Sequence, residues 1–148
     1  MNHFKFSEFD SPDLPNSGRD YMNREFLEKL DYARSISNVP FIINSGFRTS
    51  SHNKKVGGKE KIVDEFGKVI SKGSSHLYGL AVDISCKNSR QRIEIVKSLI
   101  EAQFTRLGIA KSFVHCDLDP VILLMIMDSD AAIMPVRVKI GSLLSSGI

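Results

Sequence analysis

Residues 74–84 of the chain read SSHLYGLAVDI, and this stretch decides how the rest of the sequence is interpreted. It places His76 and Asp83 seven positions apart, with Gly79 between them. Glycine lets the backbone turn tightly enough for the two side chains to converge. Imidazole and carboxylate both bind zinc, and a catalytic zinc site usually takes three protein ligands and keeps a fourth position open. A third ligand is therefore expected elsewhere in the chain.

The third ligand is predicted in residues 113–117, which read FVHCD and have strand character. Side chains alternate between the two faces of a strand, so His115 and Asp117 share a face and Cys116 points away from them. For His76 and Asp83 the alternatives are a structural histidine and a capping aspartate, and the segment that they share, with the small residues Gly79 and Ala81 between them, disfavours these alternatives. A nucleophilic role for Cys116 is the weaker alternative, because strand alternation points its side chain away from His115. The predicted metal ligands are His76, Asp83 and His115.

Four further side chains have two interpretations each. Asp117 can act as the general base for a metal-activated water, or it can orient a ligand histidine. Arg48 follows a predicted strand. Its planar guanidinium can bind a substrate carboxylate or form a surface salt bridge. Ser74 can bind substrate or cap a turn. His52 lies in a segment rich in Ser, Asn and Lys and is interpreted as exposed or in contact with substrate, not as a ligand.

The composition is typical of one soluble globular domain spanning residues 1–148, with 42% hydrophobic and 25% charged residues, and the helix and strand patterns described below make it an α+β domain. A net charge of +3 is too small to indicate a nucleic-acid partner. The two cysteines follow no disulfide framework. No signal peptide opens the sequence and no apolar run approaches the roughly 20 residues of a membrane span. We expect a monomer, made in the cytoplasm without membrane contact, that would need another release route to reach a substrate outside.

Apolar spacing predicts a small antiparallel sheet that carries the metal on one face, with helices packed behind it. Asn88 and Gln91 resemble a capping box at the start of the second helix. The predicted helices cover approximately residues 21–37 and 89–103. The predicted strands cover residues 41–44, 104–109 and 113–117. The helix faces predicted to be buried contain Phe26, Leu27, Leu30 and Ala33 in the first helix and Ile93, Val96, Leu99 and Ile100 in the second.

Three segments lie outside this framework. Residues 1–19 are expected to form an extended arm pinned by Phe4, Phe6 and Phe9. Residues 59–73 are charged with embedded apolar pairs, which suggests a hairpin flap turning near Gly67, although a plain surface excursion would have the same composition. Residues 120–148 form a C-terminal extension with an apolar start, whose role is open between a last core hairpin and an exposed extension.

Several motifs together carry a resemblance to a known family. They are Ser45-Gly46-Phe47-Arg48, Asn53 with Val56-Gly57-Gly58, Ser74-x-His76 through Gly79-x-Ala81-x-Asp83, His115-x-Asp117, and in the arm Phe6-Ser7-Glu8-Phe9 with Ser11-Pro12-Asp13. The chain resembles, over residues of about 4–119, the D-alanyl-D-alanine carboxypeptidase family of zinc peptidases. That family also contains phage L-alanyl-D-glutamate endopeptidases, or endolysins, and shares its fold with the hedgehog signalling domain.

The resemblance implies a function and a set of site residues. Zinc would be held by His76, Asp83 and His115, with Arg48 gripping or polarising the substrate and Ser74 and Asn53 contacting it. The reaction would be hydrolysis of peptide bonds in peptidoglycan stem peptides, with D-amino acids at or near the cut. A phage endolysin released through a holin fits the absence of a signal peptide best, and a cytoplasmic dipeptidase comes next.

The chain departs from the family at two places. Many members carry the catalytic acid three residues before the last histidine, where this chain has Ser112. Many also pass almost directly from the Gly-Gly pair to the Ser-x-His motif, where this chain inserts residues 59–73. The departure at Ser112 keeps open a zinc-bound module that binds the cell wall without cleaving it. The apolar tail is the only support for a third possibility, a phage structural protein.

Overall fold

The computed structural model describes residues 1–118 and the backbone of two further strands, 123–126 and 134–136. The described helices are α1 (Ser17–Tyr21), α2 (Arg24–Ile36), α3 (Ser50–Lys55) and α4 (Ser89–Glu101), with 3-10 turns at Phe6–Phe9 and Ser75–Tyr78. The described strands are β1 (Ile43–Ser45), β2 (Ile62–Val63), β3 (Val69–Ser71), β4 (Ala81–Ser85), β5 (Arg106–Ile109), β6 (Phe113–Asp117), β7 (Leu123–Ile126) and β8 (Met134–Val136).

A six-stranded sheet in the order β1-β4-β6-β5-β7-β8 carries the site. Its first four strands are antiparallel neighbours, β7 pairs with β5 in parallel, and β8 returns antiparallel to β7. The central pair β4 and β6 aligns Asp83 with His115. The helices α2 and α4 contact each other, and α4 packs on β6. The predicted α+β class with a small antiparallel sheet is therefore confirmed.

The buried face of α2 is the one that the sequence predicts. The helix begins after Asn23, whose Oδ1 accepts a hydrogen bond from the Phe26 backbone N at 2.9 Å and so satisfies one of the free donors at a helix start. Phe26 also meets Phe104 edge to face, with ring centroids 5.5 Å apart. The four residues predicted to face inward, Phe26, Leu27, Leu30 and Ala33, are all buried.

The predicted inward face of α4 is wrong at two positions. Ile93 and Ile100 are 58% and 57% exposed, whereas Ile95 and Leu99 are fully buried. Residues four apart lie on the same helix face, and the buried set Ile95, Ser98, Leu99 and Ala102 follows that spacing. The helix contains more apolar residues than one face can bury, and the sheet covers the face centred on Leu99.

The predicted buried strand at residues 41–44 is also wrong in part. The strand is Ile43–Ser45, at the edge of the sheet, with β4 as its neighbour. Phe41 is buried before the strand begins, but Ile42 is 53% exposed. An apolar run predicts burial on both faces, whereas the exposure alternates along residues 42–45, as in a strand with one face open to solvent.

The N-terminal arm packs against the loop that follows β1. Phe4 and Phe9 are buried in the core, and the backbone N of Phe47 donates to Phe9 O at 2.9 Å. A Cβ on Gly46 would lie 2.6 Å from the Phe9 Cα, so only glycine allows this approach. The arm contains a 3-10 turn and α1 and is therefore not wholly extended, but its aromatic side chains anchor it as predicted.

Residues 59–73 contain the hairpin β2–β3, with Gly67 at φ +80 in its turn. Asp64 Oδ1 accepts hydrogen bonds from the backbone N of Phe66 and of Lys68, which closes the turn. The predicted roles of residues 120–148 lie outside the described residues, apart from the backbone pairing of β7 and β8. Within the described part of the chain, no helix has the length and apolarity that a membrane crossing requires.

Candidate metal centre

Three side chains from separate elements converge at the centre of the sheet. His76 comes from the second 3-10 turn, and Asp83 and His115 come from neighbouring positions on β4 and β6. One ligand atom from each residue lies within 4.8 Å of the others. Gly79 ends the turn at φ +65, and a Cβ there would lie 2.0 Å from the Tyr21 backbone O. The tight turn between His76 and Asp83 therefore requires glycine, as the sequence predicts.

The His76 ring is held from behind, so that one nitrogen faces the other ligands. Its Nδ1 lies 2.6 Å from the Gly46 carbonyl oxygen, and a carbonyl can only accept, so Nδ1 carries the proton. This leaves Nε2 unprotonated on the side of Asp83, whose Oδ1 is 3.4 Å away. Ser74 Oγ accepts from the His76 backbone N at 3.4 Å and caps the turn. His76 is thereby oriented as a metal-binding histidine commonly is.

His115 lies between two carboxylates. Its Nδ1 is 2.8 Å from Asp83 Oδ1, and its Nε2 is 2.9 Å from Asp117 Oδ2. Asp117 is fully buried, and its Oδ2 also accepts from Arg106 Nε at 2.7 Å. The carboxylate of Asp117 therefore lies behind the His115 ring, on the side away from Asp83.

Arg48 lies at the site and not in a surface salt bridge. Its Nη2 donates to Asp83 Oδ2 at 2.5 Å and its Nε donates to Ser45 Oγ at 2.8 Å. The backbone N of Arg48 donates to His76 O at 3.1 Å, which ties the two segments together. The guanidinium thus holds one oxygen of Asp83 while the other oxygen faces the histidines.

Asn53 is placed differently from what the resemblance implies. Its side chain is 1% exposed, and its Nδ2 donates to Lys59 O at 3.0 Å. A Cβ on Gly58 would lie 2.1 Å from Asn53 Oδ1, so the glycine is pressed against this amide. Asn53 therefore fixes the start of the flap, and its burial leaves no surface with which to contact a substrate.

Comparison with known proteins identifies the family. The family model described as Peptidase M15 matches residues 2–117, which include His76, Asp83 and His115. The chain belongs to the peptidase M15 family. Its members are zinc peptidases that act on peptidoglycan, which confirms the resemblance to the D-alanyl-D-alanine carboxypeptidases and makes the protein a metallopeptidase. No curated protein matches the chain.

The residues of this M15 peptidase suit zinc. Two imidazoles and one carboxylate are a common donor set of catalytic zinc sites, which keep a fourth position open. His76 would bind through Nε2 and His115 through Nδ1, since the other ring nitrogen of each has its own acceptor. Cys116 is buried on the opposite face of β6, and burial raises the pKa of its thiol, which makes a thiolate ligand or nucleophile unfavourable.

Arg106 is the residue of the peptidase's site that the sequence reasoning missed. It lies directly opposite Asp117 in the pairing of β5 with β6. The predicted turn at residues 110–112 pairs Ile109 with Phe113 and therefore Arg106 with Cys116, because cross-strand partners are equidistant from the turn. The observed register is shifted by one residue and pairs Ile109 with Val114, so the sequence pattern does not point to Arg106.

The ionisation of the site is dominated by Asp83 and Asp117. Burial alone would raise the pKa of Asp83, but the hydrogen bond with His115 and the proximity of His76 outweigh it and hold that pKa well below its usual range. Burial lowers the pKa of His76. Burial would lower the pKa of His115 too, but its contacts with Asp117 and Asp83 raise it to about 9. Without a metal, a protonated His115 therefore bridges the two carboxylates.

We expect zinc affinity to rise with pH. Because the pKa of His115 is raised to about 9, the metal must displace a proton below that pH and no longer needs to above it. The apparent dissociation constant should therefore fall about tenfold for each pH unit gained below 9. Competition with a chromophoric chelator at pH 6, 7 and 8 measures it, with His52→Ala as a control for other histidines. An affinity that does not change over this range would contradict the prediction.

Proposed function

We propose that the protein is a zinc-dependent peptidase that hydrolyses peptide bonds in peptidoglycan stem peptides, either as a D,D-carboxypeptidase or as an endolysin-type endopeptidase. The observation that carries the proposal is the convergence of His76, Asp83 and His115, each with one ligand atom facing the other two. The proposed metal ligands are these three residues. A bound zinc ion would supply Lewis acidity and lower the pKa of a water from about 15.7 towards 7.

The surrounding residues prepare the site for a peptide. Arg48 Nη2 already binds Asp83, and the Nη1 of its planar fork makes no hydrogen bond with the described residues, so we propose that this edge binds the substrate's carbonyl or carboxylate. Ser74 borders the same turn and offers a hydroxyl beside His76. In this proposal Arg48 and Ser74 orient the scissile bond.

The position of Asp117 favours an orienting role over that of general base. Its Oδ2 is shared by His115 and Arg106, and none of the side chain is exposed. A base must reach the proton that it takes, within about 3 Å or through one water. A carboxylate behind a ligand histidine instead fixes which nitrogen faces the metal and strengthens the histidine as a ligand.

The function and the role of Asp117 are tested together with purified peptidoglycan. We expect the zinc-loaded wild type to release fragments that mass spectrometry identifies, free D-alanine for a carboxypeptidase or longer peptides for an endopeptidase. We expect Asp117→Asn to weaken zinc binding by about 10–100-fold and to recover much of its activity at saturating zinc. Activity that stays lost in the fully loaded variant would instead assign Asp117 as the base.

The second candidate is a zinc-bound module that binds the cell wall without cleaving it. The observation that favours it is Ser112, whose position carries the catalytic acid in many family members and whose backbone O accepts from the Cys86 N here. In the same experiment it predicts one zinc per chain, sedimentation with peptidoglycan, and no released fragment. Cleavage by the wild type excludes it.

A further inference from the structure

The two proposed histidine ligands come from segments far apart in the sequence. His76 lies in the 3-10 turn Ser75–Tyr78 and His115 lies on β6. The ring centroids are 5.2 Å apart, and no backbone pairing joins the turn to β6 within residues 1–118. The chain runs from the turn directly into β4, which pairs with β6, and side chains that reach both segments add a second link between the histidines.

Asp83 contacts both histidine rings directly, and Arg106 reaches both segments from β5. Arg106 Nε donates to Asp117 Oδ2 at 2.7 Å, and its Nη2 lies 2.5 Å from the same oxygen. The same Nη2 donates to Ser75 Oγ at 3.1 Å. Asp117 is the acceptor behind His115, and Ser75 directly precedes His76. A single guanidinium is thus linked to both histidines through one intermediate residue each.

The positive charge of Arg106 stabilises the buried carboxylate of Asp117. A fully buried carboxylate is unfavourable unless it is paired and hydrogen-bonded, and Arg106 supplies the paired cation for Asp117 from the directly opposite position on β5. On the same face, two residues along β5, Gly108 lies opposite His115 and has no side chain. Arg106 is therefore the residue of β5 that supports the histidine.

We infer that Arg106 is a positioning residue of the metal centre. Through Asp117 it orients His115, and through Ser75 it holds the turn that carries His76. The inference rests on the proposed ligand set of the preceding section. Arginine is required because its planar fork directs several donors at once, whereas lysine is a single point charge that cannot contact Asp117 and Ser75 in the same geometry.

The test compares zinc binding by Arg106→Lys, Ser75→Ala and the control Arg90→Lys, an exposed arginine of α4, in the full chain. Zinc dissociation constants come from chelator competition, and the visible spectrum of the cobalt-loaded protein reports ligand geometry independently of activity. We expect Arg106→Lys to weaken zinc binding by about ten- to a hundredfold and to alter the cobalt spectrum. Ser75→Ala should weaken binding by a smaller factor, and Arg90→Lys should match the wild type.

The outcomes separate this inference from the proposed function. Zinc binding by Arg106→Lys that is indistinguishable from the wild type, in a folded protein, overturns the positioning role and leaves the ligand set intact. If Arg106→Lys does not fold, Ser75→Ala decides, and unchanged affinity and spectrum in that variant overturn the link to the turn. A wild type that binds no zinc overturns the proposed ligand set and the inference with it.

Discussion

The His76→Ala variant is expected to lose zinc and, with it, all hydrolysis of peptidoglycan peptides. Structural zinc in a four-ligand site is worth about 10–16 kcal/mol, so one ligand accounts for roughly 3–4 kcal/mol, or about 10²–10³-fold in affinity. The His76 ring is fully inside the site, and its Nδ1 is already bonded to the Gly46 O, so no rearranged side chain replaces it readily. Metal content after dialysis and turnover of purified peptidoglycan measure the two losses.

The matched control is His52→Ala. His52 lies on α3 and is not among the three residues whose ligand atoms converge, so zinc content should stay at the wild-type level. Both variants remove one imidazole, and their difference therefore isolates the position of the ring. Full zinc content in His76→Ala would remove His76 from the ligand set.

The Gly79→Ala variant is expected to be the most destabilised single substitution in the turn. Gly79 has φ +65, and an added Cβ would lie 2.0 Å from Tyr21 O and 2.7 Å from Met22 Cα, both of which are backbone atoms. The left-handed conformation costs about 1–2 kcal/mol for alanine, and the clash adds roughly 1–3 kcal/mol. We expect about 3 kcal/mol of lost stability and a melting temperature lower by about 10 °C.

Gly57→Ala separates the two contributions. Gly57 has φ +73, but an added Cβ there meets no heavy atom within 4 Å. The Gly57→Ala variant should lose only the conformational contribution, about 1–2 kcal/mol. Denaturant unfolding of both metal-free variants gives the comparison. Equal losses of stability at Gly57 and Gly79 would mean that the Tyr21–Met22 backbone shifts to accommodate the added Cβ at position 79. The close approach would then add no cost of its own.

The metal centre could be predicted from the sequence because its determinants are local. The seven-residue spacing of His76 and Asp83 around a glycine, and the alternation that puts His115 and Asp117 on one face, depend on backbone geometry within single segments. The face of α4 could not be predicted in the same way. Its isoleucines are spread around the helix, and only the position of the sheet decides that Ile95 is covered while Ile93 is not.

Other differences between the sequence-based predictions and the structure also arise from tertiary packing. The position of Arg106 opposite Asp117 depends on the strand register, and the exposure of Ile42 depends on which face of the chain around β1 is covered. Asn53 belongs to a motif that the sequence connects with substrate, yet whether its amide points into a groove or into the loop of Gly58 is settled by packing alone. A sequence motif identifies the residues of a site, but their packing in three dimensions determines the role of each one.

Three of the links that build the metal centre join residues distant in the chain. His76 reaches Gly46 across 30 residues, His115 reaches Asp83 across 32, and Arg48 reaches Asp83 across 35. No segment of the unfolded chain carries all three proposed ligands, so zinc binds the folded state more tightly than the unfolded one. Zinc at a thousand times its dissociation constant would then stabilise the native protein by about 4.1 kcal/mol. Metal supply would thus control how long the enzyme survives as well as whether it works.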